Sequence, residues 1–220
     1  MAWQTPKLDW TAEDGVRNSD FNRIEGNILE LYNTSKARAD TVIYVNADLG
    51  NDNNPGTAAA PLKTINKALS VIPRSLGDKD VRISIAAGTY DEIVTIKGFD
   101  AMLQITGTYS DRVVINSLRV EGCALSVSGI SLEINGALWV VHDASLLSDS
   151  AITVNGYTIN VTYGSLMYTE DLICNNVDGY AVIVDKCSMF YGGYLNGDAN
   201  ANGIMCLAGS IAAFHDINME

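Results

Sequence analysis

The chain has 220 residues, 47% of them hydrophobic, and a formal net charge of −12. That length and composition are typical of a globular protein with a sizeable core, so we do not expect disorder. No apolar run approaches the roughly 20 residues that a membrane-spanning helix needs, so we expect no membrane insertion. The first residues lack the basic start and apolar stretch of a secretory signal, and we expect a chain that folds in the cytosol.

The negative charge is concentrated in the second half of the chain. Residues 1–119 hold 13 Lys or Arg against 15 Asp or Glu, a net charge of −2. Residues 120–220 hold Lys186 as their single base against 11 acids, a net charge of −10. A nucleic-acid partner would need the opposite sign, so we do not expect one. The acidic half should also repel anionic polymers unless cations intervene.

Cysteine and histidine do not form a metal motif in this sequence. The four cysteines, at positions 123, 174, 187 and 206, contain no CxxC pair, and neither histidine has a second ligand nearby. Zinc sites usually show such pairs, so we predict no metal and no cofactor, and we interpret the cysteines as small buried thiols. Asp48 and Asp52 lie in a loop that lacks the full calcium-binding pattern, so we assign them to turn capping.

Residues 1–17 are polar and have no usable period, but they contain two tryptophans. Such a short segment cannot bury its own indole rings. We therefore interpret it as an arm that docks on another protein through Trp3, Pro6 and Trp10. The alternative is a terminus that frays.

Residues 18–40 carry the strongest helix signal, and Asn18, Ser19 or Asp20 can cap the first turn. Its apolar residues are spaced by 3, 4 and 3 positions, which indicates a heptad seam: Phe21, Ile24, Ile28 and Leu31. Isoleucine at consecutive core positions of such a seam favours trimers or tetramers, so we predict a trimerisation helix. The alternative is a single helix that packs on its own domain.

From residue 41 to residue 220 the pattern is β, with short runs rich in Val, Ile and Thr between Gly, Asn or Asp. Comparable apolar pairs begin near residues 125, 138, 152, 166 and 182, and two such steps give a repeat of roughly 27 to 30 residues. We therefore predict roughly six stacked coils with alternating residues facing the interior, among them Leu125, Val127, Leu132 and Ile134. Asn-Gly pairs leave antiparallel hairpins in a sandwich as the alternative.

The stretch PLKTINKALSVI predicts an amphipathic helix near residues 61–72. Leu62, Ile65, Leu69 and Ile72 share one stripe of this helix. A helix of this size can cover the first coil, whose strand edges and apolar interior would otherwise be exposed. We predict that it caps the stacked coils.

Two stretches of the chain resemble known proteins. YVNADLGNDNNPGTAAAPLKTINKAL, followed by VRISIAAGTYDEIVTIKGF, resembles the opening of right-handed parallel β-helix proteins of the pectate-lyase-like superfamily, over residues 44–99. WQTPKLDWTAEDGVRNSDFNRIEGNI is similar to the start of tail and baseplate-associated proteins of phages that infect Gram-positive bacteria, over about the first thirty residues.

Together the resemblances imply a mainly β protein, a right-handed parallel β-helix with an N-terminal arm and a coiled-coil-like helix, assembled as a homotrimer. They imply a structural component of a phage or phage-derived tail fibre, spike or appendage. Residues 1–40 would attach it to baseplate or tail proteins, and the β-helix would contact the host surface. Such a protein resides in the virion after assembly in the bacterial cytoplasm.

Enzymes occur among β-helix proteins, so carboxylates are candidate catalytic residues. A single base in the acidic half argues against a lyase that acts on anionic sugars. A glycoside hydrolase needs two carboxyl groups about 5 to 9.5 Å apart, and Asp143, Glu170 and Asp178 are the weak candidates. Asp143 and Glu170 would come within that range if they align on adjacent coils. Solvated turn residues are the favoured interpretation, so we predict no enzyme and retain a small glycan depolymerase as the alternative.

Six of the ten tyrosines fall between residues 157 and 194. The tract MFYGGYLNGDANANG, residues 189–203, is rich in Gly and Asn, and we expect a longer loop there that projects from the scaffold. Tyr191, Tyr194 and Asn196 are therefore candidates for contact with a host-surface glycan. The tyrosines could instead stack along the solenoid or lie between subunits. Another alternative is a scaffold that links tail proteins, since HDINME offers no C-terminal cap helix.

Overall fold

The computed structural model of the chain describes residues 4–8, 11, 14–35, 37, 39–108, 111–197 and 203–219. The helices in these ranges are α1 (Asn18–Ser35) and α2 (Ile65–Val71). The strands are β1 (Thr41–Val45), β2 (Val81–Ile85), β3 (Gly88–Lys97), β4 (Leu103–Thr106), β5 (Arg112–Glu121), β6 (Ala124–Ser128), β7 (Ser131–Ile134), β8 (Leu138–Val141), β9 (Ser145–Ser148), β10 (Ile152–Asn155), β11 (Ile159–Thr162), β12 (Leu166–Asn175), β13 (Val182–Val184), β14 (Met189–Gly197), β15 (Ile204–Cys206) and β16 (Ile211–Met219). Neither helix has the length and apolarity needed to cross a bilayer.

The strands form three parallel sheets around one core. Sheet 1 contains β1, β2, β4, β6, β9 and the first halves of β12, β14 and β16. Sheet 2 contains the first halves of β3 and β5, then β7, β10 and the second halves of β12, β14 and β16. Sheet 3 contains the second halves of β3 and β5, then β8, β11, β13 and β15.

The chain runs from sheet 1 to sheet 2 to sheet 3 and then returns to sheet 1 one layer further along. This path gives about six turns of a parallel β-solenoid, and every pairing between named strands in the described ranges is parallel. The predicted stacked coils are therefore confirmed, and the alternative of an antiparallel sandwich is wrong. The architecture fits a right-handed β-helix, the hand that parallel crossovers nearly always take.

The length of a coil in the structure is shorter than the repeat that the sequence predicts. Leu125 pairs with Leu146, Leu146 with Met167, and Met167 with Phe190, so these register partners mark the true length of one turn. The apolar pairs that suggested the longer repeat begin in sheets 1, 3, 2, 1 and 3 in turn. Each step between successive pairs therefore skips one sheet and covers two thirds of a coil.

The core is a set of stacked aliphatic columns. Leu125, Val127, Leu132 and Ile134 are all at most 4% exposed, which confirms the predicted inward alternation. Residues between them face outward, as the period of two in a strand requires. Because each coil rests on the coil before it, the buried residues form one continuous cluster from Val45 to Leu195.

Helix α2 lies between β1 and β2 and packs over the first coil, but it is shorter than the predicted range 61–72. Leu62 precedes the helix and bridges to Val45, and Ile72 is its extended C-cap residue. Leu62, Ile65, Leu69 and Ile72 are each at most 4% exposed. The side chain of Thr64 caps the helix by accepting a hydrogen bond from Lys67 N–H at 3.1 Å. The cap thus shields the apolar end of the solenoid from water.

Two carboxylates hold the N-terminal end of this cap. Asp52 accepts hydrogen bonds from the N–H groups of Lys63 and Thr64 at 2.9 and 3.0 Å and from Thr64 Oγ1 at 2.9 Å. Glu92, which belongs to the following coil, accepts from the N–H groups of Ile65 and Asn66, both at 2.8 Å. Asp52 therefore holds the start of the cap rather than its own turn, and the predicted turn capping by Asp48 is made instead by Asn46 Oδ1, which accepts from Asp48 N–H and Leu49 N–H. The contacts of Glu92 additionally fasten the cap to β3.

Helix α1 begins at the predicted residue but ends before the predicted boundary at residue 40. At its start, the Asp20 carboxylate accepts a hydrogen bond from Arg17 N–H at 3.0 Å, as the third helical residue does in a capping box. The residue before the helix is Arg17, so the prediction that Asn18, Ser19 or Asp20 accepts from the first free amides is wrong. Near its end, Ala37 N–H donates to Ser75 O at 2.7 Å. That bond ties the chain after α1 to the loop that follows α2.

Candidate functional site

The seam of α1 is open to solvent. Phe21, Ile24, Ile28 and Leu31 are 56%, 45%, 60% and 55% exposed. A monomeric protein rarely exposes a contiguous row of large apolar side chains, since burial of each stabilises by about 1.5–3 kcal/mol. This row, which we call the α1 seam, is therefore a candidate association surface.

The chain's own N-terminal segment contacts one flank of α1, beside the seam. Gln4 N–H donates to Asn27 Oδ1 at 2.9 Å, and Asn27 Nδ2 donates to Gln4 O at 2.8 Å. Asn27 is 8% exposed. Asn27 lies beside the seam, and the four seam residues nevertheless remain exposed next to these contacts. Of the predicted docking residues, Pro6 lies in this segment and is exposed, whereas Trp3 and Trp10 lie outside the described residues.

The three candidate catalytic acids occupy three different corners of the β-helix. Asp143 lies at corner 3–1, the turn from sheet 3 to sheet 1, and Glu170 lies at corner 1–2 within β12. Asp178 lies at corner 2–3, between β12 and β13. All three are exposed. Asp143 and Glu170 thus do not stack in one column, so the alignment that would have paired their carboxyl groups is not present.

The predicted projecting loop at residues 189–203 is wrong for the part that the structure describes up to residue 197. Met189–Gly197 is a regular strand that bends at Gly192 and Gly193 to pass from sheet 1 to sheet 2. A Cβ atom at Gly193 would lie 2.4 Å from Glu170 O, so this corner requires glycine. The glycines that suggested a loop therefore serve a tight corner.

The candidate glycan contacts lie on two faces on either side of that corner. Tyr191 faces outward on sheet 1, in register with Tyr168 and, one coil earlier, Leu147. Tyr194 faces outward on sheet 2, where its ring lies 5.6 Å from that of His215, and Asn196 follows on the same sheet. The row on sheet 1 was missed in the sequence because its members are one coil apart, a spacing shorter than the predicted repeat.

Corner 3–1 carries a column of stacked side chains that the sequence did not reveal. The rings of His142 and Tyr163 stack at 4.9 Å, and Lys186 Nζ lies 3.8 Å from the centroid of the Tyr163 ring. All three residues have positive φ, between 56° and 60°, which is uncommon for residues with side chains. The stacking and the cation–π contact offset the conformational cost of the left-handed turn.

Corner 2–3 carries a ladder of asparagine amides that links successive coils. Asn155 Nδ2 donates to Asn135 Oδ1 at 2.8 Å and to Glu133 Oε1 at 3.1 Å, and Asn175 Nδ2 donates to Asn155 Oδ1 at 3.1 Å. Each coil thereby satisfies the amide of the next. This pattern indicates a structural function for the corner.

We expect Asn155→Ala to lower the free energy of unfolding by about 1–2 kcal/mol, because it removes three side-chain bonds from a partly buried position. Urea denaturation at one protein concentration measures the change. Asn160→Ala is the matched control, since the Asn160 amide donates to Thr158 O within its own coil. Equal losses of unfolding free energy in the two variants would show that the hydrogen bonds between coils do not contribute to stability.

The cysteines depart in part from the predicted buried thiols. Cys123 and Cys174 are buried, whereas Cys187 and Cys206 are exposed, since Cys187 lies in a turn and Cys206 in the last strand of sheet 3. Burial raises the pKa of the Cys174 thiol to about 12, so it stays protonated at neutral pH. In the described ranges no three His, Cys, Asp or Glu side chains converge as metal ligands.

Comparison with known protein families matches residues 48–190 to a family described as a protein of unknown function, DUF1565. That match covers more than half of the chain. The chain belongs to the DUF1565 family. Comparisons with curated proteins and with solved structures give no match.

The DUF1565 region begins in the loop after β1 and ends within β14. It therefore includes the carboxylates that hold the cap, the asparagine ladder and the stacked column at corner 3–1. Helix α1 and its seam precede the DUF1565 region. The α1 seam, the candidate association surface, thus lies outside the range that matches the family.

Proposed function

We propose that the protein is a homotrimeric structural component of a phage or phage-derived tail. In this proposal α1 trimerises the chain, residues 1–40 attach it to baseplate or tail proteins, and the β-helix forms a rigid shaft that points toward the host surface. The observation that carries the proposal is the exposed α1 seam, with large apolar residues at heptad spacing.

The geometry of the β-helix supports a mechanical role. Parallel strands bond continuously from β1 to β16 along sheet 1, and one aliphatic core runs through all coils. Such stacking resists bending because each coil is held by backbone bonds and by close packing. A short stiff rod preceded by an association helix is suited to attachment at its N-terminal end and to extension away from the attachment point.

The placement of the acids supports a role without catalysis. Hydrolysis of a glycosidic bond needs two carboxyl groups on opposite sides of one bond. Asp143, Glu170 and Asp178 lie on separate corners, so no pair of them shares a column. We therefore propose that the protein is not an enzyme.

The outer face of sheet 1 supports contact with a host-surface glycan. Tyr168 and Tyr191 are 42% and 38% exposed and lie in register on adjacent coils. Two flat aromatic faces with hydroxyl groups suit sugar rings. We propose Tyr191 on this face, and Tyr194 and Asn196 on the adjoining face of sheet 2, as contacts. We propose the virion as the final location after assembly in the bacterial cytoplasm. Imaging of assembled particles labelled on this chain tests that location.

The trimer is tested by sedimentation equilibrium. We expect the wild-type protein to sediment at three times the mass of the 23.6 kDa chain. The double variant Ile24→Asp with Ile28→Asp should sediment as a monomer, because each aspartate would place a charge in the apolar seam. The β-helix of this variant should unfold at the same urea concentration as the β-helix of a truncated protein that lacks residues 1–35.

Leu29→Asp is the matched control, since Leu29 is 50% exposed on the same helix but lies outside the heptad spacing. It should retain the trimer. Ile24→Leu with Ile28→Leu should also retain association, because both side chains stay apolar. A wild-type monomer at micromolar concentration, or a trimer that survives both aspartates, contradicts the proposal.

A further inference from the structure

A basic cleft opens at corner 3–1 in the middle of an acidic protein. Arg74, Lys97, Gly98, Glu121, Gly122 and His142 line a cleft of about 540 Å³. The cleft is shallow and wide open to solvent, so it can accommodate a small molecule on the surface but does not enclose one. We call it the corner cleft, and it lies apart from the α1 seam and from the tyrosines of sheet 1.

Two cations of the corner cleft have no carboxylate partner. Among the residues that the structure describes, neither Arg74 nor Lys97 lies within ion-pair distance of an acid. The same holds for Lys63, Lys67 and Lys186, but Arg74 and Lys97 line one cleft together. A chain with a net charge of −12 has many acids available to pair with its bases. The two unpaired cations therefore leave local positive potential that an anion can neutralise.

The guanidinium of Arg74 is held in place before any ligand arrives. Its Cζ lies 4.5 Å from the centroid of the Phe99 ring, and its Nη1 donates to Lys97 O at 3.0 Å. These contacts use one ring face and one N–H, so other N–H groups of the fork stay available. A guanidinium that is already fixed loses little conformational entropy when a ligand binds, and its geometry suits the oxygens of a carboxylate or a phosphate.

The floor of the corner cleft is made by glycine. Gly98 and Gly122 have φ values of 72° and 59°, and a Cβ atom at Gly98 would meet nothing within 4 Å. At Gly122 the nearest atom would be His142 O at 3.6 Å. Side chains at these positions would occupy the cleft, so the two glycines both form the turns and keep the space open.

The acids near the corner cleft are already engaged. Glu121 Oε2 accepts from Arg119 Nε at 2.9 Å, and this hydrogen bond lowers the pKa of Glu121. Its Oε1 lies 3.6 Å from His142 Nδ1. Asp100, next to Phe99, accepts from Ser75 Oγ and Leu76 N–H, both at 2.6 Å. Arg119 is the ion-pair partner of Glu121, which Lys97 influences only from beyond ion-pair distance, and Arg74 has no ion pair among the described residues.

We infer that the corner cleft binds an anionic group, a phosphate or a carboxylate, on a molecule about the size of one sugar residue. Arg74 and Lys97 contact the anion, and the space over Gly98 and Gly122 accommodates the body of the ligand. The inference stands independently of the proposed trimeric tail function, since it uses residues of a single β-helix.

Binding is measured with four probes on the full-length protein. Inorganic phosphate and glycerol 1-phosphate are titrated by ³¹P line broadening, and glucuronate and glucose by saturation-transfer NMR. We expect saturable binding of at least one anionic probe and none of glucose. Comparison of glucuronate with the two phosphates identifies which anion the cleft prefers.

Lys97→Gln is the main variant, and we expect it to weaken binding of the preferred probe at least tenfold, the effect of losing a charge-assisted contact. Arg74→Gln should weaken it similarly, with urea denaturation as a check because Arg74 also contacts Phe99. Lys63→Gln, an exposed cation on the cap, should bind as the wild type does. Failure of all three anions to saturate, equal binding of glucose, or unchanged affinity in Lys97→Gln would overturn the inference.

Discussion

Replacing Phe190 by alanine should lower the free energy of unfolding by about 3–5 kcal/mol, the usual loss when a buried aromatic ring is deleted. Phe190 is fully buried in the penultimate strand of sheet 1, and its ring stacks on that of Phe214 at 4.8 Å. A Cβ atom at Gly192 would lie 2.5 Å from the Phe214 ring, so the site is closely packed. The remaining side chains cannot fill the resulting cavity without moving a strand.

Urea denaturation at one protein concentration measures this loss, with Tyr191→Ala as the control. Tyr191 is the next residue and faces outward, so its loss should be below about 1 kcal/mol. Hydrogen exchange should accelerate in β14 and β16 while β2 and β4 keep their protection, because a solenoid transmits stability mainly between neighbouring coils. Uniform acceleration along the chain would show that the coils unfold only as one unit.

Removal of the carboxylate that holds the cap should be the second large effect. Asp52→Ala takes away the acceptor of two backbone N–H groups and one hydroxyl, and we expect a loss of about 2–3 kcal/mol. Asp48→Ala is the matched control in the same loop, since the Asp48 side chain is exposed. Equal losses from the two variants would contradict a specific function of Asp52 in capping.

The Asp52 contribution should also depend on pH. Burial alone would raise the pKa of Asp52, but hydrogen bonds from Thr64 and Lys63 lower it below the ordinary value of 3.8. A carboxyl group with a lowered pKa stabilises the fold fully above its ordinary pKa and loses that contribution as the pH falls through the folded value. The difference between wild type and Asp52→Asn should therefore stay constant from pH 7 to about 5 and shrink below 3.8. A difference that grows on acidification would contradict this assignment.

The cap and the inward columns were predictable because their signals are local. The stripe of Leu62, Ile65, Leu69 and Ile72 lies within one short stretch, and alternation in a strand needs only two or three repeats. The coil length was not predictable in this way. Each turn passes through three sheets, and an apolar pair can occur in each of them. The sequence alone does not indicate which two apolar pairs lie in the same sheet on adjacent coils, so it does not give the coil length.

The corner features were hidden for the same reason. Arg74 and Lys97 are far apart in the chain, and His142 follows two coils after Lys97, so only the correct coil length brings them together. The Gly-Gly pair at residues 192–193 was interpreted as a loop because glycine commonly marks one. The glycine at position 193 is required for a steric reason, because Glu170 O of the preceding coil lies close to it. A contact between two coils produces no pattern in the sequence near the glycine.

The position of the cap has an evolutionary consequence. The helix α2, which closes the first coil, lies in the chain between β1 and β2. Every later coil therefore packs only against other coils. A duplication or loss of one whole coil would lengthen or shorten the rod by about 4.8 Å and leave both ends unchanged. The length of the β-helix can thus change by whole layers, while the residues at its two ends stay the same.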